Sequence, residues 1–255
     1  MRDHEEHVTG AAPAGATDER AAAQAVQQMF DEISPRYDLL NHVLSMNVDR
    51  LWWWRTARSL RSALQNPGAR ALDLCCGTGD MARALRKQAP KATIVGVDFS
   101  RGMLKRGEAK FHEHNIAPVE ADALRLPFPD QTFGLVVSAF GFRNLANYDA
   151  GLREIYRVLC PGGELGILDF SEPGGLLGKL YGFYFRRVLP KIGAAISGVN
   201  GPYSYLPASV SRFPPPAEII GRMEAAGYMK ARWQRYTFGV AGLYRGVKRH
   251  ATCNS

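Results

Sequence analysis

Between Ala71 and Phe170 short apolar runs alternate with amphipathic stretches, and no other feature constrains the fold as tightly. Ala71-Leu72-Asp73-Leu74, Thr93 to Val97, Phe133 to Ala139 and Glu164 to Phe170 have the length and apolar content of strands buried on both faces. A weaker strand is placed near Pro118 to Ala121. Helices are expected from Asp80 to Gln88, Arg101 to Phe111 and Tyr148 to Leu159, with Pro161-Gly162-Gly163 as a turn into the last strand of the run. Strand, helix and parallel strand connect by a right-handed crossover, so this stretch predicts a doubly wound α/β sheet. Upstream, Ala21 to Ile33 reads as a helix that Pro35 ends. A second helix starts at Asp49, with apolar residues every three or four positions, and stops at Pro67-Gly68. Beyond Phe170 the alternation breaks. It resumes with a helix over Ala217 to Ala226 and strands over Tyr228 to Tyr236 and Gly239 to Lys248.

An open sheet of this kind binds ligands beyond the carboxyl ends of its strands. Asp73-Leu-Cys-Cys-Gly77-Thr78-Gly79-Asp80 joins the first strand to the first helix at that end. Glycines let a backbone approach a ligand closely, and the N-terminus of the following helix favours a negative group. Asp98 closes the second strand 19 residues after Gly79, where a carboxylate can accept both hydroxyls of a ribose. Gly77-Thr-Gly-Asp-Met-Ala82 also fits the G-x-G-x-x-A dinucleotide pattern. Against a dinucleotide, Asp73 inside the first strand suits an ammonium group rather than a pyrophosphate, and no hydride-transfer site is evident downstream. An acid before the loop and another after the second strand suit an amino acid joined to an adenosine, which describes S-adenosyl-L-methionine (SAM).

Together with Asp122 and Pro161-Gly162-Gly163, these residues resemble a class I methyltransferase core. Cys75 stands where the first glycine of the usual acid-x-Gly-x-Gly-x-Gly run falls. More closely, the chain resembles the ubiquinone/menaquinone C-methyltransferase family. The likeness rests on Phe30-Asp-Glu-Ile-Ser-Pro-Arg-Tyr-Asp38 with Leu40-Asn41, Leu72 to Asp80, Val97-Asp-Phe-Ser100 and Met103-Leu104. It continues through Asp122-Ala123, Leu126-Pro-Phe128, Phe140-Gly-Phe-Arg-Asn144, Arg157 to Gly163 and Asp169-Phe-Ser-Glu-Pro173. Ser197-Gly198, Tyr203-x-Tyr-Leu-Pro207 and Phe213-Pro214 complete it, so that Ala25 to Arg249 is covered.

The resemblance implies a class I Rossmann-like doubly wound sheet, mostly parallel with an antiparallel C-terminal strand, a helical N-terminal lid and a helix/loop cap insertion. It divides the chain into a disordered tail (1–20), the lid (21–67), a SAM-binding core (68–170), a substrate cap (171–227), C-terminal strands (228–250) and a tail (251–255). Cofactor contacts are implied for Asp73, Gly77, Thr78, Gly79, Asp98, Phe99, Met103, Asp122, Ala123 and Ser138. The family often has a serine just before Phe-Gly-x-Arg-Asn; here Ala139 stands there, and no side-chain contact is carried over to it. The implied reaction methylates a ring carbon of a reduced polyprenyl quinone, demethylmenaquinol first and 2-polyprenyl-6-methoxy-1,4-benzoquinol second. The ring carbon becomes nucleophilic when the neighbouring phenol loses its proton, so a base or a phenolate-stabilising cation is needed. Arg143 and Asn144 are the first candidates, with Asp38 and Tyr203 beside them and Tyr37, Asn41 and Tyr205 next.

Charge adds a partner class. Residues 1–20 carry two basic and five acidic side chains, so the remainder of this +8 chain is +11. A basic body fits an acidic partner. Residues 173–217 hold Lys179, Arg186, Arg187, Lys191 and Arg212, no acid and seven aromatics, and Trp52-Trp53-Trp54 lies beside Arg50, Arg55, Arg58 and Arg61. Peripheral contact with an anionic membrane is therefore expected, from the cytoplasm. A spanning helix is not, since the 20 uncharged residues from Ile192 to Ser211 are broken by Gly193, Gly198, Gly201, Pro202 and Pro207. The four cysteines form no CxxC pair and the histidines have no ligand spacing, so neither a disulfide framework nor a metal is expected. Two other readings stay open at this stage: a methyltransferase acting on RNA, disfavoured because no basic stripe accompanies an RNA-binding module, or on another small aromatic or lipid acceptor, and a non-catalytic cofactor-binding scaffold of a quinone-biosynthetic complex. A homodimer is also left open.

Overall fold

The computed structural model describes residues 10–11, 16, 18–34, 47–171, 173 and 208–250. Asp38 and Tyr203, with Tyr37, Asn41, Tyr205 and most of the expected cap, lie outside them. The strands are β1 (Arg70–Leu74), β2 (Thr93–Asp98), β3 (Ile116–Glu120), β4 (Phe133–Ala139), β5 (Leu159–Phe170), β6 (Tyr228–Tyr236) and β7 (Ala241–Lys248). The helices are α1 (Glu19–Ile33), α2 (Val48–Leu60), α3 (Asp80–Gln88), α4 (Arg101–Glu113), α5 (Tyr148–Val158) and α6 (Pro216–Ala225). Among the described residues the strands form one seven-stranded sheet in the order β3-β2-β1-β4-β5-β7-β6. The first five pair in parallel, and β7 runs antiparallel to both β5 and β6, as the sequence led us to expect.

Two layers of helices bury the two faces, and the period-two alternation of each strand decides which side chain goes where. Leu72, Leu74, Val136 and Ile167 point to the face covered by Leu152 and Ile155 of α5 and Ile219 and Met223 of α6. Ala71, Ile94, Leu135, Val137 and Leu168 point the other way, towards Trp52, Ala57 and Leu60 of α2, Met81, Ala82 and Leu85 of α3 and Phe111 of α4. Each fully buried Leu or Ile contributes about 2 kcal/mol of transfer free energy, and this is what holds the helices to the sheet. Strand order reverses between β1 and β4, which opens a crevice at their carboxyl ends.

Several expected boundaries shift. α2 was assigned to the lid and α6 to the cap, yet both pack into the core clusters and belong to the sheet layers. The tail also takes part in the fold near its end. Asp18 caps α1 by accepting from the Ala21 N–H at 2.8 Å, and the N–H groups of Gly10 and Ala11 donate to the carbonyls of Ala146 (3.1 Å) and Leu145 (2.7 Å). Pro161-Gly162-Gly163 does not precede β5 but lies inside it. The register against β4 jumps from Phe133↔Leu159 to Leu135↔Glu164, so these residues form a bulge, with Gly162 at φ +77°.

Candidate functional site

The loop after β1 takes left-handed backbone at Cys75 (φ +57°), Gly77 (+54°) and Gly79 (+88°). Two of these are glycines, which hold that conformation without Cβ strain; at the third, Cys75 keeps the shape of the glycine it replaces. Gly79 caps α3 against the Phe111 ring, which a Cβ would overlap. The loop is held down by Asp98. One carboxylate oxygen accepts from Gly77 N at 2.8 Å and the other from Ser100 N at 2.9 Å, so one side chain ties the glycine loop to the start of α4. Ser100 then caps α4 by accepting from Met103 N at 3.1 Å.

These elements frame a crevice of about 700 Å³ including its mouth. Of the residues expected from sequence, Gly77, Asp98, Phe99, Met103, Asp122, Ala123 and Asn144 line it together. Asp98 is 6% exposed, and burial pushes its carboxyl up to about 6, against the lowering hydrogen bonds from Ser100, Gly77 and Phe99. These three N–H groups use three of the carboxylate's four acceptor positions and leave one for a hydroxyl donor. Asp122 accepts from Leu124 N at 2.9 Å and so shapes the turn that presents Ala123.

Five expected site residues do not reach the crevice wall. Asp73 points to the same sheet face as Ala71, beneath α3, and accepts from Ala82 N at 2.8 Å. Its other oxygen is buried without a partner, and burial holds the carboxyl well above its ordinary value. Thr78 is buried towards α4 and accepts from Lys110 Nζ at 3.2 Å. Gly79 is occupied by the Phe111 contact. Ser138 pairs in register with Leu74, and its hydroxyl is buried beside the Cys75 thiol. Arg143, the expected phenolate-stabilising cation, turns inward instead. Its Nη1 is 2.8 Å from Asp169 Oδ1 and also donates to Phe140 O, its Nε donates to Ser209 Oγ at 3.3 Å, and the side chain is 6% exposed. Satisfying a buried guanidinium needs such partners, and they fix it as a strut under the 140–144 turn.

Three wall elements contribute side chains that the sequence did not single out as contacts. Phe140, at φ +61°, puts its ring against Phe170 (centroids 4.5 Å) and Trp52 (5.8 Å). Cys75 contributes a thiol that burial and the nearby carboxylates of Asp98, Asp73 and Asp122 push well above its usual pKa, so it is neutral at pH 7. The third is α1, which closes the crevice with Ala23 and Phe30. Gln27 Nε2 donates to Phe99 O at 2.6 Å, and Asp31 Oδ1 accepts from Ser100 Oγ (2.5 Å) and Gly102 N (3.0 Å). At its other end Asn147 Nδ2 donates to Glu19 Oε1 at 2.7 Å. Phe30 and Phe140 both stand in the motifs quoted from the sequence; the polar latches of α1 leave no such signature.

A strand order of 3-2-1-4-5 followed by an antiparallel pair, with an acid-walled crevice at its switch point, defines the class I methyltransferase fold. A SAM-dependent methyltransferase of Thermotoga maritima superposes with a TM-score of 0.61 at 19% identity, over 88% of this chain and 99% of its own. The chain belongs to the ubiE/COQ5 methyltransferase family, whose model matches residues 17–248. Among its relatives is a protein of Deinococcus radiodurans named demethylmenaquinone methyltransferase. It is 48% identical over 235 residues, which is 91% of this chain and 96% of the relative. A Geobacter sulfurreducens protein named ubiquinone/menaquinone biosynthesis C-methyltransferase is 43% identical over 88% of this chain and 89% of its own.

Proposed function

We propose that the chain transfers the methyl group of SAM to a ring carbon of a polyprenyl quinol, with demethylmenaquinol as the acceptor and the 6-methoxy-benzoquinol as a second substrate. The observation that carries this reading is the Asp98-walled crevice in a chain 48% identical to a protein named for that reaction. The crevice suits SAM on its own chemistry. Asp98 has an acceptor position left for a ribose hydroxyl, Met103 and Ala123 offer apolar walls, and Phe99 N bonds the Asp98 carboxylate rather than a ligand. Asp73 then acts from below, by holding the start of α3, rather than by gripping an ammonium group.

Bound SAM supplies an electrophilic methyl on a positively charged sulfur, so the protein has mainly to align and to exclude water. Phe30 and Phe140 are apolar walls of this same crevice, suited to an aromatic acceptor lying beside SAM, and Asn144, whose Nδ2 donates to Phe140 O at 3.5 Å, lines it too. Arg143 is a positioning residue: it holds the Phe140 carbonyl, and through it the turn that carries Asn144. Loss of the phenol proton makes the ortho carbon the nucleophile; Asp38 and Tyr203 remain the proposed groups for handling that proton. After attack the ring carbon loses its own proton and the oxygen takes one back, so the quinol is restored with the demethylated cofactor and one proton released overall.

The acceptor's prenyl tail keeps it in a bilayer, and the reading therefore includes peripheral membrane contact from the cytoplasmic side. No helix among the described residues is long and apolar enough to cross a membrane. Sedimentation of the purified chain decides between a monomer and the homodimer considered above. The function is tested with methyl-labelled SAM and chemically reduced demethylmenaquinol and demethyl methoxybenzoquinol side by side. Label in the naphthoquinol is expected; label in neither, with SAM still bound, overturns the reading in favour of a scaffold.

A further inference from the structure

The outer face of α2 is built unlike the rest of the molecule. Leu51 is 49% exposed, Trp54 47% and Phe238 77%, and these are the exposed large apolar side chains among the described residues. They lie close together. Leu51 and Trp54 are one helical turn apart, and Trp52 Nε1 donates to Thr237 Oγ1 at 2.7 Å, which brings the 237–239 turn alongside the first half of α2. Phe238 sits at the tip of that turn with left-handed backbone, φ +57°. A bulky side chain is strained there, and among the described residues its ring stacks on no other.

The charge around these side chains has one sign. Arg55, Arg58 and Arg61 with Trp54, Ser59, Gln234 and Tyr236 line a recess of about 360 Å³. Arg55 stacks over the Tyr236 ring at 4.3 Å and Arg58 over Trp54 at 5.5 Å, so the guanidiniums are held by ring faces. No acid among the described residues pairs with any of the three.

We propose that this face, α2 with the 237–239 turn and the end of β6, docks on an anionic phospholipid bilayer. Phe238, Leu51 and Trp54 enter the headgroup boundary, and the arginine recess takes lipid phosphates. Guanidiniums pair with phosphate, and apolar side chains among them suit the interface between headgroups and acyl chains. The charge argues against a second copy of this chain, because a two-fold contact would set like-charged arginines against one another. The location gives the docking a purpose that rests on the quinol reading: the Trp52 ring behind this face touches Phe140 and Phe170, and Phe140 is a wall of the crevice.

The test is flotation of the full chain at low salt with vesicles of equal phosphatidylcholine and phosphatidylglycerol, against vesicles of phosphatidylcholine alone. Wild type is expected to float with the anionic vesicles only. Arg58→Gln/Arg61→Gln should lower the bound-to-free ratio about fivefold per arginine removed. Phe238→Ser, at the most exposed of these positions, should weaken binding without touching the fold, checked by its melting temperature. In vesicle-free solution both variants should methylate a short-tailed quinol like wild type, while methylating a vesicle-embedded long-tailed quinol more slowly. Wild type that stays unbound, floats equally with neutral vesicles, or forms a dimer that Phe238→Ser dissociates overturns the proposal, as do variants that float like wild type. If wild type floats as expected but no quinol is methylated, the docking surface stands and the quinol reading falls.

Discussion

Asp98 meets two demands at once, because its oxygens hold the glycine loop and the start of α4 while facing the ribose end of the crevice. With its carboxyl raised to about 6 from an ordinary 3.8, ionising it in the folded chain costs about 3 kcal/mol. The contribution to stability is therefore fully present below the unfolded value and lost as pH rises through about 6. Hydroxyl donors from a ligand need the ionised form, so SAM affinity should fall by up to about tenfold per pH unit below that point, followed by calorimetric titration. Asp98→Asn should flatten this profile and weaken SAM binding at least about tenfold, since an amide NH2 would face the N–H of Gly77 or Ser100. At Arg143, Arg143→Ala should cost about 3–5 kcal/mol in urea unfolding by stranding Asp169 as a buried charge. A variant that keeps full stability and loses only turnover would contradict its role as a strut. That Asp98 faces the crevice was legible from its place at a strand end, whereas Met103 and Ala123 were expected there only from the family resemblance. The places of Asp73 and Arg143 were not legible. The face chosen by Asp73 depends on which helix covers it, and the partner of Arg143 lies 26 residues away on the next strand, brought close only by sheet register.

The loop between β1 and α3 is a single glycine-shaped path whose first left-handed position has been filled by cysteine. Cys75→Gly should remove that strain and stabilise the chain by about 1 kcal/mol, read as a shift in urea midpoint. The same position explains Gly141, where an added Cβ would fall on Cys75 Cβ. Gly141→Ala should therefore destabilise by about 1–3 kcal/mol alone and recover much of that beside Cys75→Gly, a coupling a double-mutant cycle measures. α1 is an amphipathic helix whose existence the sequence shows within two residues, but its function lies in Gln27 and Asp31, which contact Phe99, Ser100 and Gly102 some seventy residues on. Gln27→Ala/Asp31→Ala should speed SAM dissociation about tenfold in stopped flow, as two to three hydrogen bonds at about 0.5–1 kcal/mol each are lost. Loop chemistry was readable because it is local; the latches were not, because neither partner is marked by its neighbours.

Over the whole chain, the strand–helix alternation specified the parallel half of the sheet, and the antiparallel pair followed from family resemblance rather than from local pattern. Folding and binding are linked: SAM at a hundred times its Kd should add about 2.7 kcal/mol and raise the melting temperature by about 5–10 °C, and Asp98→Asn should erase about half of that shift or more at the same SAM concentration. The strand order carries one more consequence. β7, the last strand made, is not at the rim but between β5 and β6, where it pairs with seven residues of β5 from Glu164 to Phe170. A growing polypeptide on the ribosome thus carries β5 with an open edge, Ile167 and Leu168 included, and β6 with nothing to pair to, until residues 241–248 emerge. The wait is long on the scale of hairpin formation, and an unpaired apolar edge is a template for the wrong neighbour. A chain stopped after Tyr236 should accordingly collect in inclusion bodies, although it keeps every residue of the crevice wall.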